Sequence, residues 1–535
     1  MAENENSAET KPAQPPDQFR AELEVLIRSK TALIGIRAPD ERPVLRLLQE
    51  MGKALSFKYA SWSISAGFEG AITGSAQPDP MAPLESIAGA RLRCICALCD
   101  YHPYIRGDSV QNAPMIRRLK ELAWTLSAAK PEEARIVVLV SRELEIPIEL
   151  KGHIALLEMP YPTVEELKTK VASAAKASSR PEDALPEAIS AVAEAARGLT
   201  IQQTNDALSR CLVSTGRLEP GVVVQEKKQV ILTEGLIAWE EPPAGGLANV
   251  AGLEVFKKWL GQRANAYSDR AKAFGIPIPK GVLSIGVQGC GKSLTAKALA
   301  AEWGVPLLRV DMGALYGKYL GDTESNVRRV IKIVETVGRC VLLLDELEKA
   351  FAGSASSGDT DGGASSRALA TWLTWFQEKT SPAFVAATSN DITKLPPELI
   401  RKGRLDEVFF VDLPNSVERR AIWQIHIAKR GRKPEDFITP DLIARSEGMS
   451  GAEIEVCVIA GLHRAFSEGT ELSLCHLLEE ISETVPLAKT AADKINALRR
   501  WSVGKARPAS LPDPVTELEA GRFSSLEMDK AGAPS

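Results

Sequence analysis

Short apolar runs separated by polar helical segments recur along the chain in two series. In the first half they cover residues 31–37, 93–100 and 135–141; in the second, 281–287, 307–311, 340–345 and 384–388. Runs of this length between helical stretches predict buried strands alternating with helices, and so α/β layers with parallel sheets. The Pro- and Gly-rich stretch 241–247 marks a boundary between the halves. The two halves also share a spacing. Ser141 is followed six residues later by Pro147 and then by Glu149 and Leu150, and Asn390 six residues later by Pro396 and then by Glu398 and Leu399. Upstream of each lies an apolar run ending in Asp (Asp100 and Asp345), and each half closes with a helical segment, 200–212 and 448–461. An internal duplication accounts for the pattern.

At 535 residues the chain exceeds a single core and predicts two or three domains. With 44% hydrophobic and 25% charged residues it has the composition of a globular protein. No run approaches the about 18 consecutive apolar residues of a membrane-spanning helix. Residues 1–17 are polar, acidic and Pro-containing, which predicts a disordered tail rather than a signal peptide. A net charge of −4 supplies no global attraction to nucleic acid, although it leaves room for a local basic pore. Eight dispersed cysteines predict reduced thiols in a cytoplasm. Cys94, Cys96 and Cys99, with His102 nearby, raise the question of zinc. They sit in an apolar run with no second ligand pair at ribbon spacing, so a buried core strand is expected.

The strongest chemical signal is Gly286-Val287-Gln288-Gly289-Cys290-Gly291-Lys292-Ser293, a full G-x-x-x-x-G-K-[ST] match between an apolar strand and a helix opening at Leu294. Glycines let backbone N–H groups curl around phosphates, and the helix N-terminus adds partial positive charge. Lys292 then reaches the β- and γ-phosphates of ATP, and the Ser293 hydroxyl is placed to ligate Mg2+. About fifty residues on, the run 340–346 ends in Asp345, a candidate support for Mg2+, and Glu346, a candidate base for the attacking water. Cys290, beside the helix N-terminus, is read chiefly as a small residue filling a tight turn, with a lowered thiol pKa as the alternative.

From Asn249 to about Phe466 these residues resemble a module of the AAA ATPases, in the clade of unfoldases and of membrane-fusion and microtubule-severing ATPases. The resemblance implies an AAA+ P-loop NTPase fold, a parallel sheet with a helical lid, working as a ring and most often a hexamer. It places Val250 and Ala251 in the adenine-side motif, after Asn249 where Asp is usual. It makes Asn390 the sensor that orients water, and Arg401 and Arg404 the arginine fingers that act on a neighbouring subunit's ATP. Lys318-Tyr319-Leu320-Gly321 is similar to a pore loop, with Tyr319 gripping substrate, and Asp322 stands for the usual Glu beyond it. His426 falls where the family approaches ribose and adenine, and Gly451 and Ala452 in the lid beside the base. More narrowly, the two-part layout, the stretch 100–105 and the phosphate loop resemble an uncharacterised AAA family. That family is encoded as a hypothetical reading frame in chloroplast genomes and found in cyanobacteria and other bacteria.

Where the first half should carry a phosphate loop it has Ala38-Pro39-Asp40-Glu41-Arg42-Pro43, in which prolines and carboxylates replace glycines and lysine. By sequence spacing, Tyr101 stands at the Glu346 position, Ser141 at that of Asn390, and Gly152 and Ala155 at those of the two arginines. A degenerate AAA-like domain that binds no ATP is expected, with Asp100 a structural acid. The stretch 353–363 is either a pore or intersubunit loop or a flexible connection; Arg367 either meets a neighbour's nucleotide or does not. Trp372, Trp375 and Phe376 are expected in a core. The expected organisation is a tail (1–17), the degenerate α/β domain (18–215), a linker (216–247), the large ATPase subdomain (248–415), a helical lid with a C-terminal helix (416–507) and a second tail (508–535). The expected function is Mg2+-dependent ATP hydrolysis that remodels a protein client, by a homo-hexamer with no membrane segment and no nucleic-acid partner. An ATP-gated regulatory module is the alternative.

Overall fold

The computed structural model describes residues 16–72, 79–107, 110–232, 235–243, 245–315, 323–351, 362–401 and 403–513. Two compact units divide the chain, Met1–Glu226 and Lys227–Ser535.

In the first unit, β1 (Leu33–Arg37), β2 (Lys58–Ser63), β3 (Gly67–Gly70), β4 (Cys94–Cys99), β5 (Arg135–Ser141) and β6 (Ile154–Glu158) form one sheet in the order β3-β2-β4-β5-β1-β6. All neighbours run parallel except the β2–β3 hairpin. Strands β4 and β5 are buried at every position, as parallel strands covered on both faces must be. Cys94 and Cys96 point into one core and Ile95 and Ala97 into the other, so the cysteine run is a central strand.

The second unit holds β7 (Ile237–Glu240), β8 (Gly281–Gly286), β9 (Leu307–Val310), β10 (Val341–Leu344), β11 (Phe384–Ser389), β12 (Glu407–Val411) and β13 (Arg507–Pro508), in the order β13-β12-β8-β11-β10-β9-β7. Only the edge strand β7 is antiparallel to its neighbour. Trp372, Trp375 and Phe376 are buried in its core, with Trp372 stacked on Phe376 at 5.6 Å. Each unit also carries helices beyond its sheet. In the first these are Val164–Ala175, Pro186–Ala196 and Ile201–Thr215; in the second, Ser416–Lys429, Pro440–Arg445, Gly451–Ser467 and Leu474–Glu483. The helices Ile201–Thr215 and Gly451–Ser467 both open on a reciprocal capping box, Thr200 with Gln203 and Ser450 with Glu453.

The order β6-β1-β5-β4-β2 in the first sheet matches β12-β8-β11-β10-β9 in the second, and the registers coincide. Leu33 lies opposite Val137 as Gly281 lies opposite Val385, and Leu98 opposite Leu139 as Leu344 lies opposite Ala387. The register corrects the sequence spacing by one residue. Asp100, not Tyr101, is the counterpart of Glu346, Cys99 of Asp345, and Ser141 of Ser389. The backbone agrees: Asp100 and Glu346 both leave their strand in the left-handed region, at φ 49 and 51. Ala155 lies inside β6, opposite Ile34, and so holds no loop position. A uniformly apolar run carries no alternation from which its phase can be read, which is why spacing alone misplaced it.

Two further stretches differ from expectation. Residues 216–247 include the helix Pro220–Leu232 and the edge strand β7. Beyond Arg507 the chain is held by the sheet, the Ala509 N–H donating to Phe410 O (2.9 Å) and its carbonyl accepting from the Phe256 N–H (3.1 Å).

Candidate nucleotide-binding site

Strand β8 ends at Gly286 and the next helix, Lys292–Trp303, starts after a five-residue loop. Gly286 (φ 154) packs so closely on β12 that a Cβ would lie 1.9 Å from Val411 O. Gly289 (φ 77) has the lid against it: a Cβ there would meet Ser450 Oγ at 3.0 Å, and its carbonyl accepts the Ala452 N–H at 3.1 Å. The Lys292 ammonium is buried and donates to the carbonyls of Gly286 (3.0 Å) and Val287 (2.6 Å). Burial pushes it down to about 8, against the opposing pull of Cys290, Glu348, Asp345 and Glu346. Desolvation by the atoms packed around it pushes the half-buried Cys290 thiol up to about 12, which corrects the lowered value considered from its place at a helix start: desolvation exceeds the pull of Lys292.

The acidic edge comes from β10. Ser293 Oγ and Thr388 Oγ1 each donate to Asp345 Oδ1 at 2.6 Å. The Thr388 hydroxyl also accepts the Glu346 N–H (3.0 Å), and its carbonyl accepts the Leu347 N–H (2.9 Å). Thr388 thus holds the chain turn in which Glu346 adopts its positive φ. The Glu346 carboxylate pairs with Lys349. The Asn390 N–H donates to Glu348 Oε1 (3.0 Å), and the other oxygen of this buried carboxylate has no partner among the described residues. Sequence reasoning missed Thr388 and Glu348. The first is visible only once β10 and β11 are in register; the second carried a signal, a carboxylate two residues past Glu346.

Elsewhere the sequence candidates spread out. Gln288 and Leu294 are exposed, Ala251 is half-buried, and Val250 is buried in the core beside Leu253 and Leu299. The Leu253 N–H donates to Glu418 Oε1 at 2.9 Å, which ties the segment after Val250 to the helix Ser416–Lys429. His426 Nδ1 lies 3.6 Å from Glu455, beyond hydrogen-bonding distance, and burial lowers its pKa. Gly451 starts the helix that meets Gly289. Arg401 is exposed, while the Arg404 guanidinium donates to Glu398 O at 2.6 Å. Both precede β12, which runs parallel to β8 with Glu407 opposite Val282. They therefore lie at the amino edge of the sheet, the length of β8 or about 20 Å from the phosphate loop at its carboxyl end. Tyr319, with the residues around it, and 353–361 fall outside the described residues. Arg367 lies 3.5 Å from Glu324.

In the first unit only three residues separate β1 from the helix Glu41–Ala54. Asp40 caps that helix by accepting the Arg42 N–H (3.1 Å), and the Arg37 guanidinium is spent on Leu144 O at 2.8 and 3.0 Å. No glycine loop exists there to curl around phosphates. In the second unit a buried ammonium, a hydroxyl and a carboxylate converge beneath a loop that packs closely on the lid at Gly289, the donor set that suits a polyphosphate with a hard divalent cation.

This fold and site define a P-loop NTPase of the AAA class. Residues 282–413 match the model of the ATPase family associated with various cellular activities (AAA). Residues 19–159 and 164–234 match the N-terminal and second domains of SpoVK-like AAA ATPases. The chain belongs to the family of uncharacterized AAA domain-containing proteins ycf46. It is 33% identical to the member from Pyropia yezoensis over 92% of this chain and 99% of that one, and 34% identical to that of Guillardia theta over 92% and 96%. It is also similar to the proteasome-activating nucleotidase of Methanothermobacter thermautotrophicus, at 29% identity over 47% of this chain and 62% of the relative.

Proposed function

We propose that the second unit binds ATP with Mg2+ and hydrolyses it in a ring, a homo-hexamer by family resemblance, to remodel a protein partner. The observation that carries the reading is the convergence of Ser293 and Asp345, 2.6 Å apart, beside the buried Lys292 and the base candidate Glu346. Residues 286–294 cradle the phosphates, and the Lys292 ammonium exchanges the two carbonyls it now holds for phosphate oxygens. Ser293 and Asp345 hold Mg2+, which supplies charge neutralisation on the phosphates. Glu346 takes the proton of the attacking water, with Asn390 orienting it. Val250, Ala251, His426, Gly451 and Ala452 form the adenine side.

Arg401 and Arg404 serve the neighbouring subunit's ATP. Their place at the sheet edge opposite their own phosphate loop supports an action in trans. Tyr319 is assigned to gripping the client. A relative named for activating a proteasome supports a protein client, and the net charge of −4 favours protein over nucleic acid. Eight free cysteines fit a cytoplasmic protein, and no helix among the described residues is long and apolar enough to cross a membrane. The first unit scaffolds the ring or docks a partner.

Steady-state hydrolysis measured against protein concentration, with mass on the same samples, tests the reading. Turnover per chain should rise with assembly and vanish in Glu346→Gln. Equal turnover in monomer and oligomer refutes the trans arginines, and tight binding without hydrolysis at any concentration favours an ATP-gated switch.

A further inference from the structure

Lys280 immediately precedes β8. Its Nζ donates to the carbonyls of Gln377 (2.6 Å), near the end of the helix Gly362–Glu378, and of Gly403 (2.7 Å), in the segment between Arg401 and Arg404. Its backbone N–H and that of Gly281 both donate to Asp406 Oδ2, at 2.8 and 3.1 Å, and the Asp406 N–H donates to Gly281 O at 2.9 Å. An ammonium with three donors and a carboxylate with two acceptor oxygens thus join three pieces of chain: the start of β8, the end of a helix and the arginine-bearing segment.

The duplication shows whether the fold itself requires this clamp. Ala32 occupies the place of Lys280: its carbonyl accepts the Val137 N–H (2.9 Å) as that of Lys280 accepts the Val385 N–H (3.0 Å). Ile154 occupies the place of Asp406, opposite Leu33 as Asp406 is opposite Gly281. Both counterparts are apolar, and the first sheet forms with the same strand order and register. The first copy also lacks the glycine loop. The polar clamp therefore accompanies the chemistry rather than the topology.

We propose that Lys280 and Asp406 are positioning residues for the arginines that each subunit offers its neighbour, a proposal that rests on the trans-arginine reading above. Strand β8 carries its own phosphate loop at one end and, through the clamp, the arginine segment at the other. One strand then fixes both halves of two successive active sites. A displacement of about 1 Å in such a group costs about 10²-fold in rate.

Mixed rings separate this role from general support of the fold. Lys292→Ala subunits keep their arginines but lose the phosphate lysine. Lys280→Met subunits keep the nucleotide site, with wild-type nucleotide affinity, but misplace the arginines. Each alone should hydrolyse ATP about 10²-fold more slowly than wild type. Mixed equally in a head-to-tail ring, they leave about a quarter of the interfaces with both sound parts, so about a quarter of wild-type activity should return. Lys280→Met mixed with Arg401→Ala/Arg404→Ala should stay inactive, because both lack working arginines. The control is Arg401→Ala/Arg404→Ala mixed with Lys292→Ala. If it recovers while Lys280→Met with Lys292→Ala does not, the positioning role is overturned. If the control itself stays dead, the trans-arginine reading fails and takes the proposal with it. Lys280→Arg, which keeps charged donors, should retain activity alone. Should Lys280→Met not fold, Lys280→Gln carries the same pattern of recovery.

Discussion

Replacing Thr388 by valine removes one hydroxyl and almost nothing else, at the point where β11 meets the acidic end of β10. The residue is 2% exposed, so water does not take over its bonds. Two interactions go. The bond to Asp345 Oδ1 has a charged acceptor and contributes about 1.5–3 kcal/mol, and leaving the Glu346 N–H without an acceptor costs about 1–3 kcal/mol. The two losses share one hydroxyl and are not independent, so about 3 kcal/mol in all is expected. Glu346 also sits at φ 51, a left-handed conformation that costs a non-glycine residue about 1–2 kcal/mol; the equivalent turn at Asp100 (φ 49) forms beside Val140 without a hydroxyl, so the Thr388 bonds steady the Glu346 peptide rather than create the turn. Freed of its anchor, the peptide relaxes and the carboxylate shifts.

Urea unfolding of Thr388→Val should show a midpoint about 1–2 M lower than wild type for a slope of about 2 kcal/mol per M. Thr388→Ser, which keeps the hydroxyl and loses a buried methyl, should lose only about 1 kcal/mol. In steady-state assays the valine variant should drop about 10²-fold in kcat with ATP affinity near wild type, the signature of a misplaced group needed in the transition state. If Thr388→Val matches Thr388→Ser in both midpoint and kcat, the hydroxyl does not hold the acidic edge and the account of Glu346 fails.

Three further outcomes are expected. Lys292 is held at about 8 in the free protein and regains a firmly charged ammonium against phosphate, so nucleotide binding must take up a proton above that pH. Affinity should therefore fall about tenfold from about pH 7 to 9, with the proton counted by calorimetry in two buffers of unlike ionisation heat; a flat profile refutes the burial argument. The Cys290 thiol, at about 12, should alkylate far more slowly at neutral pH than the exposed Cys475, and peptide mapping that finds Cys290 modified first would show the reverse. Equilibrium binding should saturate at one nucleotide per chain, since Asp40 and Arg37 close off the first unit's counterpart; a second site would overturn its silence.

The chemistry of the second half was legible because it is written in consecutive residues. The glycines, Lys292 and Ser293 lie in one short run between a strand and a helix, and Asp345 and Glu346 end another. What spans the sheet was not. Thr388 reaches Asp345 only through the pairing of Leu344 with Ala387, and the clamp joins Lys280 to Gly403 across 123 residues of chain. Strands β7, β12 and β13 lack the long apolar run that marks a buried strand: β7 and β13 lie at the sheet margins, and β12 begins with a charged residue. The duplication was legible in outline from shared spacing. Its phase was not, because buried runs such as Cys94–Cys99 and Arg135–Ser141 look the same when slid by one residue.

The corrected phase separates what the fold requires from what the site requires. At four equivalent places around the site and the clamp the second copy carries the polar or conformationally special residue: Gly286 against Ala38, Asp345 against Cys99, Lys280 against Ala32, Asp406 against Ile154; away from them the first copy can do so, as with Arg37 against Ile285. Where they agree, the agreement is in the backbone. Asp100 and Glu346 both turn left-handed as they leave the strand, although the first copy has no glycine loop for a phosphate to occupy. A strained residue at an active site invites the inference that strain was placed there for catalysis. Here the same turn stands in a copy without the cradle, so the left-handed exit belongs to the way this central strand hands the chain to the following segment. The second copy needs only a carboxylate of suitable length at that position, and a hydroxyl from the next strand to steady it.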